Sequence, residues 1–312
     1  MSGPQNSMNN PFFPLYEAHQ RTSLNLKKAS IGSRRTKLNR LKQWLLSHQD
    51  SICEAEYEDL RKPSDEVNVT ELYPVLTEAR HAIAELNNWT TPTSVGGSLT
   101  FIGTSASIYY EPKGTSLIIS PWNYPLLLAV GPLISAIAAG NTVVLKPSEF
   151  TPATNSVIAQ MIHDVFDLEE VELVEGEADV AAALLELPFD HIFFTGSPQV
   201  GKIVMGAAAK NLTSVTLELG GKSPTIVDET ANIKDAAGKI CWAKWTNAGQ
   251  TCVAPDYLFV HEKVVDKLIG ELKESSNKMY AKKDNYTSII NDKHFNRLEE
   301  TISDATSKGA DV

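Results

Sequence analysis

The sequence is poor in the features that mark several large classes of protein. Its three cysteines, Cys53, Cys241 and Cys252, are an odd number without a Cys-x-x-Cys pair. This predicts free thiols rather than a disulfide framework or a metal site. The formal net charge of −10 and the isoelectric point near 5.2 argue against a general nucleic-acid-binding protein.

Long apolar runs are also lacking. The longest, residues 126–139, is interrupted by Gly131 and Pro132 and is too short to cross a bilayer. Residues 1–10 are polar and lack the apolar stretch of a signal peptide. We therefore expect no membrane segment in this chain, and a reducing cytoplasmic location in which the thiols stay free.

What is present describes an ordinary globular protein, with 42% hydrophobic and 21% charged residues among 312. This length favours two domains. Residues 1–35 predict a polar arm that enters a helix, and helical spacing of apolar residues covers 37–47 and 70–89. The basic run from Lys27 to Lys42 is either a phosphate or partner surface or, as we favour, the solvated face of a helix.

From residue 116 onward, short apolar strands alternate with helical stretches. The pattern predicts α/β architecture with a doubly wound parallel sheet, whose ligands bind at the carboxyl ends of the strands. We expect N-terminal helices and a Rossmann-like dinucleotide-binding domain over 1–218, with a bridging β-hairpin near 98–113. A second, incomplete α/β domain over 219–312 would carry the cysteine loop. The predicted strands are 117–120, 142–146, 171–174, 191–195, 215–218, 224–227 and 257–261, and the helices between and after them are 125–139, 152–165, 178–186, 198–209, 233–246 and 264–280.

Two stretches have the residues of a dinucleotide site. Gly196–Gly201 follows a strand and opens a helix, whose free N–H groups favour a pyrophosphate. It lacks the middle glycine of G-x-G-x-x-G, so a plain strand–helix turn is an equal alternative. Lys146 and Glu149 end another strand, where the carboxylate would accept from ribose hydroxyls. Taken alone, these two charges are better explained as a surface turn.

Three further residues suit acyl chemistry. Asn123, between an aromatic residue and two prolines, could donate to an oxyanion or simply form a turn. Glu218 precedes two glycines and would act as a general base if partly desolvated; the alternative is a glycine turn between strands. Cys252 ends the loop Asn247–Cys252, whose small residues let a ligand come close. A free cysteine is more often a small buried hydrophobe, as we expect for Cys241.

Together these stretches resemble the aldehyde dehydrogenase superfamily, over about residues 35–312. Within it, Asp59–Pro63 and Cys252–Tyr257 are most similar to the class 3 and fatty aldehyde dehydrogenase branch. The motifs that carry the resemblance are Pro121–Pro125, Lys146–Glu149, Phe194–Ser197, Glu218–Pro224 and Gly249–Cys252.

The resemblance implies a chemistry for each site residue. Cys252 would add to an aldehyde to form a thiohemiacetal, whose oxyanion the Asn123 side chain and the Cys252 N–H would stabilise. A nicotinamide cofactor, NAD or NADP, would take the hydride, and Glu218 would activate the water that hydrolyses the thioester. The implied cofactor-binding residues are Trp122, Lys146, Glu149, Thr195, Gly196, Ser197, Val200, Gly201, Leu219 and Gly220.

The family pattern also sets expectations for the whole protein. The branch suggests medium- to long-chain or aromatic aldehydes and a homodimer. Members of the family continue past position 312 into a Glu-x-Phe-Gly-Pro motif. We therefore expect a C-terminally truncated product to be poorly active and prone to aggregate through an unpaired sheet edge. The alternatives are a cofactor-binding fragment with impaired catalysis and a CoA-acylating aldehyde dehydrogenase.

Overall fold

The computed structural model describes residues 9–97, 100, 102–281 and 286–311, in which helices alternate with short strands. The helices are α1 (Phe13–Leu26), α2 (Ile31–Ser47), α3 (Gln49–Leu60), α4 (Ser64–Val67), α5 (Tyr73–Thr90), α6 (Pro125–Ala139), α7 (Pro152–Val165), α8 (Ala178–Leu185), α9 (Pro198–Ala209), α10 (Ile233–Trp245), α11 (Val265–Met279) and α12 (Asp292–Ser307). The strands are β1 (Thr93–Val95), β2 (Ala106–Ile108), β3 (Thr115–Ile119), β4 (Thr142–Lys146), β5 (Val171–Leu173), β6 (His191–Gly196), β7 (Ser214–Leu219), β8 (Ser223–Val227) and β9 (Pro255–Val260).

The chain divides into two units. The first contains Met1–Gln49 and Val69–Glu218, and the second contains Asp50–Asn68 and Leu219–Val312. The two units therefore meet in sequence at Glu218 and Leu219, and residues 50–68 belong to the second unit.

The first unit is built on a five-stranded sheet with the order β5–β4–β3–β6–β7. Strand β3 pairs in parallel with β4 and with β6, and β4 pairs in parallel with β5. Every residue of β3 and β4 is buried, as continuous apolar strands require when helices cover both faces. The predicted α/β class with a doubly wound sheet is confirmed.

Two different sets of helices pack against this sheet. Residues of α1, α8 and α9 share one apolar cluster with the side chains of Leu117, Val144 and Phe194. Helix α6 contacts β3 and β4 and packs against α2, α5 and α7. Because successive strand side chains point to opposite faces, both sides of each strand are used for core packing.

The prediction of a polar arm that enters a helix over residues 1–35 is wrong for residues 13–26. Residues 13–26 form α1, in which Tyr16, His19 and Ser23 are buried. The Tyr16 hydroxyl donates to the Pro188 carbonyl at 2.9 Å, and its ring packs edge-on against Phe189. The buried side of this helix uses polar and aromatic residues, which is why apolar spacing does not reveal it.

The predicted hairpin near 98–113 begins earlier in the structure. Strands β1 and β2 pair antiparallel, with Thr93 opposite Ile108. Residues 98, 99 and 101 of the predicted range lie outside the described residues. All residues of both strands are exposed, so the pair contributes little to the core.

The basic run in α2 makes contacts within the first unit. The Arg34 guanidinium donates to the carbonyls of Ala138 and Ala139 at the end of α6. Lys37 pairs with Glu170, while Arg40 donates to a backbone carbonyl of α7. These cations cap helices and pair with acids, so the side chains named are not a free phosphate-binding surface.

The second unit has its own small core. Strands β8 and β9 pair in parallel, and Val227, Ile233, Ala237 and Leu268 are buried between them and helices α10 and α11. Helix α12, where the sequence pattern thins, was not predicted, and none of its residues is buried. Within the described ranges, no helix is long and apolar enough to cross a membrane.

Candidate active site

The strand order of the first unit creates a switch point between β3 and β6. In chain order, β4 and β5 are added on one side of β3, and β6 and β7 are added on its other side. The loops after β3 and β6 therefore separate at their carboxyl ends, which is where open α/β sheets bind ligands. These loops begin at Ser120 and Ser197, so the predicted residues Trp122, Asn123, Gly196 and Ser197 lie at this switch point.

Two buried hydroxyls mark this place. Ser120 Oγ and Thr195 Oγ1 are buried and have no hydrogen-bond partner among the residues that the structure describes. A buried hydroxyl without a partner costs about 1–3 kcal/mol, so a further hydrogen bond to either group would be stabilising. The hydroxyl and phosphate groups of a dinucleotide can supply such a bond.

The start of α9 has the form of an anion site. Ser197 caps the helix, its side chain accepting from the Val200 N–H at 3.3 Å. Pro198 occupies the first helical turn, and Gly201 is buried inside the helix. At Gly196 a Cβ atom would lie 2.5 Å from Cζ of Phe194. Only glycine lets the backbone at position 196 lie this close to the Phe194 ring. The N-terminus of α9 carries the positive end of the helix dipole, which favours an anion.

Lys146 and Glu149 form a pair at the end of β4. The buried Lys146 Nζ donates to the Pro147 carbonyl at 3.0 Å and to Glu149 Oε2 at 3.3 Å. The Glu149 side chain is 36% exposed and Lys146 only 4%. The lysine thus holds the carboxylate at the sheet edge while one side of that carboxylate faces solvent, as an acceptor for ribose hydroxyls would.

A buried carboxylate fixes the helix that follows Asn123. Oε2 of Glu71 accepts from the N–H groups of Leu126 and Leu127 at 3.0 and 2.9 Å. Glu71 is fully buried and lies in the π-helical turn Asn68–Leu72. A carboxylate at a helix N-terminus satisfies N–H groups that have no partner within the helix. Trp122 and Asn123, both half-buried, are therefore attached to a helix whose first turn is held in place.

Glu218 and the residues after it are open to solvent. Glu218 is exposed, and Leu219 is 36% exposed. A Cβ atom at Gly220 would meet nothing within 4 Å among the described atoms. The partial desolvation that we required for a general base is thus not present around Glu218. The open space beside Gly220 leaves room for a ligand face or a water molecule.

The glycine loop and the cysteine loop are neighbours within the second unit. A Cβ atom at Gly221 would lie 3.7 Å from the Cys252 carbonyl oxygen. Lys222 Nζ pairs with Asp256 at 3.2 Å, and Ser223 pairs with Pro255 at the start of the β8–β9 ladder. Strand pairing therefore places Gly221, three residues after Glu218, beside the backbone of Cys252.

The loop before Cys252 has an unusual backbone. Asn247 and Ala248 have φ of 55° and 53°, and Gly249 follows with φ of 75°. The left-handed conformation costs roughly 1–2 kcal/mol for each residue other than glycine. Strain of this kind persists only where surrounding contacts hold it, and it clusters at functional sites.

Cys252 differs from the other two cysteines in its environment. Cys53 and Cys241 are buried, and Cys252 is exposed. Burial raises the pKa of both buried thiols above the usual range, which keeps them protonated and inert. The expected inert role of Cys241 therefore agrees with its surroundings, while Cys252 is accessible to a reactant.

The predicted residues fall into two groups. Asn123, Glu218 and the cofactor-binding set up to Gly201 belong to the first unit, and Leu219, Gly220 and Cys252 belong to the second. Sequence reasoning missed two acids: the buried Glu71 and the half-buried Glu66, which accepts from the Asn247 N–H. Acids beside a proline and in a polar stretch look like solvated charges, and no local pattern encodes the contacts that these two make.

Most of the chain matches a family model. Residues 15–312 match the model of the aldehyde dehydrogenase family. The 4,4'-diaponeurosporen-aldehyde dehydrogenase of Staphylococcus aureus is 47% identical over 279 residues, covering 88% of this chain and 61% of that protein. Aldehyde dehydrogenase family 3 member H1 of Arabidopsis thaliana is 41% identical, over 86% of this chain and 57% of that protein. The resemblance to the class 3 branch is thus confirmed.

Solved structures show the same relation. A substrate-bound aldehyde dehydrogenase of Staphylococcus aureus superposes with a TM-score of 0.91 at 44% identity, over 96% of this chain and 66% of that one. An aldehyde dehydrogenase of Bacillus cereus in complex with NAD+ superposes with a TM-score of 0.87 at 25% identity, over 96% and 62%. The chain spans less than two thirds of the length of these four proteins. On sequence and fold together, the chain belongs to the aldehyde dehydrogenase family.

Proposed function

We propose that this chain carries the nucleophile and the cofactor-binding residues of an NAD(P)-dependent aldehyde dehydrogenase that oxidises an aldehyde to a carboxylic acid. The observation that carries the proposal is the exposed Cys252 at the end of a left-handed turn. A nucleophilic cysteine must be accessible, and backbone strain of this kind clusters at functional sites. The buried hydroxyls at the switch point support a dinucleotide as the second reactant.

Most of the proposed cofactor contacts belong to the first unit. Glu149 would accept from the adenosine ribose with Lys146 beside it, and Gly196, Ser197, Val200 and Gly201 would lie under the pyrophosphate. Trp122, Thr195, Leu219 and Gly220 would line the remaining surface. The Glu149 carboxylate would repel a 2′-phosphate, which favours NAD over NADP. When bound, the nicotinamide accepts the hydride that the protein cannot take itself.

The chemistry assigned to the protein's own residues proceeds in two stages. In the first, the Cys252 thiolate adds to the carbonyl carbon, and the Asn123 amide and the Cys252 N–H donate to the resulting oxyanion. Losing one such donor costs roughly 3–4 kcal/mol of transition-state stabilisation. Departure of the hydride leaves a thioester on Cys252.

In the second stage, Glu218 takes a proton from a water molecule that attacks the thioester, releasing the acid and the free thiol. One aldehyde, one water and one NAD+ thus give one acid, one NADH and one proton. Glu218 is exposed and lacks the partial desolvation expected of a general base. Its position three residues before Gly221, which lies beside Cys252, supports the assignment.

Three broader expectations remain part of the proposal. Membership of the class 3 branch supports medium- to long-chain or aromatic aldehydes. A homodimer is supported by the exposed apolar side chains Ile203 and Met205 on α9. The free thiols support a reducing, cytoplasmic location.

The proposed function is tested by NADH formation on a panel of straight-chain and aromatic aldehydes. We expect a signal from the wild-type chain, none from Cys252→Ala, and a loss of turnover in Glu218→Gln. Retention of NADH formation in the Cys252 variant would reject the nucleophile. A dependence on added coenzyme A would favour a CoA-acylating enzyme, and NAD binding without turnover would favour a cofactor-binding fragment.

A further inference from the structure

The loop Asn247–Cys252 is hydrogen-bonded to the carboxylate of Glu66, which has no role in the proposed chemistry. Oε1 of Glu66 accepts from the Asn247 N–H at 2.6 Å and from the Thr287 hydroxyl at 3.1 Å. Asn247 is fully buried and is the first of the three left-handed residues. Hydrogen bonds to an ionised acceptor are shorter and about twice as strong as neutral ones. Glu66 therefore holds the turn at the residue where its strain begins.

A second set of contacts fixes the far end of the same turn. Gln250 Nε2 donates to the carbonyls of Asn247 and Ser288, both at 3.0 Å. Gln250 Oε1 accepts from the Ile290 N–H at 3.1 Å. Hydrogen bonds thus hold the turn at Asn247 and at Gln250. Cys252 follows two residues after Gln250.

Glu66 is half-buried, and its neighbours include a buried ion pair and two tyrosines. Glu66 lies on α4, which begins directly after Pro63. The preceding residue, Lys62, is fully buried and pairs with Glu56 at 2.7 Å. Burial raises the pKa of Tyr286 to about 12, and the nearby Tyr280 and the charge of Glu66 add to the shift. The carboxylate therefore sits in a partly enclosed cluster rather than on a solvated face.

We propose that Glu66 is a positioning residue for the nucleophile. Its carboxylate holds Asn247 and Ala248 in the left-handed conformation, and this conformation presents the Cys252 thiol to the solvent side of the loop. Without the carboxylate, the turn relaxes toward the ordinary right-handed region and the thiol loses its fixed position. The catalytic consequence rests on the proposed function, but the geometric consequence does not.

The test compares Glu66→Ala and Glu66→Gln with wild type, and uses Asp65→Asn as the matched control because Asp65 is an exposed acid on the same short helix. Hydrogen exchange follows the amides of residues 247–250. Peptide mass spectrometry follows the rate at which iodoacetamide alkylates Cys252. NADH formation gives kcat and KM.

We expect the Asn247 amide to exchange at least about tenfold faster in Glu66→Ala, as loss of a charged hydrogen bond predicts. Alkylation of Cys252 should slow at least about threefold, and kcat should fall about tenfold with KM for NAD+ unchanged. Glu66→Gln keeps an acceptor oxygen and should lie between Glu66→Ala and wild type. Asp65→Asn should match wild type in every measurement.

Two results would overturn the proposal. Unchanged exchange at Asn247 in Glu66→Ala would show that the carboxylate does not hold the turn. Faster exchange with unchanged alkylation and kcat would show a purely structural role. If the wild-type chain forms no NADH, the proposed function fails, while exchange and alkylation still decide the role of Glu66. If Glu66→Ala does not fold, the same comparison is made with Glu66→Gln.

Discussion

Replacing Lys62 with methionine is expected to lower the free energy of unfolding by about 3–5 kcal/mol. Lys62 Nζ donates to Glu56 Oε2 at 2.7 Å, and both side chains are fully buried. Methionine fills a similar volume but cannot donate, so the Glu56 carboxylate would stay buried without its cation. An uncompensated buried charge is among the largest single-residue penalties known. Urea unfolding of the variant and of wild type measures the difference.

Two controls separate the charge effect from a packing effect. The double variant Glu56→Leu/Lys62→Met removes both charges, and we expect it to recover most of the loss, because well-packed apolar pairs replace buried ion pairs at little cost. Lys239→Met breaks the exposed pair with Asp235 and should hardly change the urea concentration at the midpoint of unfolding. A loss below about 1 kcal/mol in Lys62→Met would contradict the account of this pair.

Acidification should destabilise the first unit through His19, by about 3 kcal/mol between pH 7 and pH 4. His19 is 1% exposed, and its ring nitrogens have no hydrogen-bond partner among the described residues. Burial lowers its pKa from 6.5 to about 4 and outweighs the Leu168 carbonyl and the Glu169 charge, which act in the opposite direction. The folded protein therefore resists protonation of this ring.

The sign of the effect follows from that lowered pKa. Between pH 6.5 and pH 4 the unfolded chain binds a proton at His19 that the folded chain does not bind. The unfolding free energy therefore falls as pH falls through this window, and the contribution is fully present above pH 6.5. Urea unfolding of wild type and His19→Leu at several pH values checks the difference.

The expected result is a weaker pH dependence in His19→Leu than in wild type. His81→Gln is the matched control, because His81 is exposed, contacts the Trp89 ring and should leave the pH dependence nearly unchanged. The raised pKa of Glu172, caused by burial, acts in the opposite direction. Because Glu172 Oε2 lies 3.9 Å from His19 Nε2, the change in His19→Leu reports the two groups together. Parallel pH curves for wild type and His19→Leu would contradict the role of His19.

The sheet of the first unit could be predicted from sequence because its strands are short continuous apolar runs. Strand β4 was predicted with the bounds 142–146 that the structure has, and the fully buried β3 and its neighbours needed no further information. Helices α6 and α7 were also predicted with their observed bounds, 125–139 and 152–165. Apolar periodicity and proline at the helix start give these elements strong local signals.

The missed elements lack such signals. The buried side of α1 consists of Tyr16, His19 and Ser23, and their burial is explained by partners more than 100 residues away, such as Pro188 for Tyr16. Helix α12 carries Phe295, Leu298 and Ile302 on one side, but all three are exposed. Tertiary contacts, which a single sequence does not display, decide these cases.

The candidate site shows the same division. The residues of the proposed chemistry stand in motifs at strand ends, so their approximate places follow from the fold. The supporting residues do not stand in motifs. One carboxylate oxygen of Glu66 accepts from the cysteine loop, and one of Glu71 accepts from the helix after Asn123. Only these three-dimensional contacts distinguish the two residues from surface acids.

Trapping the acyl group on the protein tests the central claim most directly. The Glu218→Gln variant is incubated with NAD+ and octanal or benzaldehyde, and its mass and tryptic peptides are measured. We expect a gain equal to the aldehyde less two hydrogens, located on Cys252, because thioester hydrolysis should slow by about 100-fold or more without its base. The double variant Glu218→Gln/Cys252→Ala should gain nothing. An acyl group on any other residue, or one that forms without Cys252, would contradict the account.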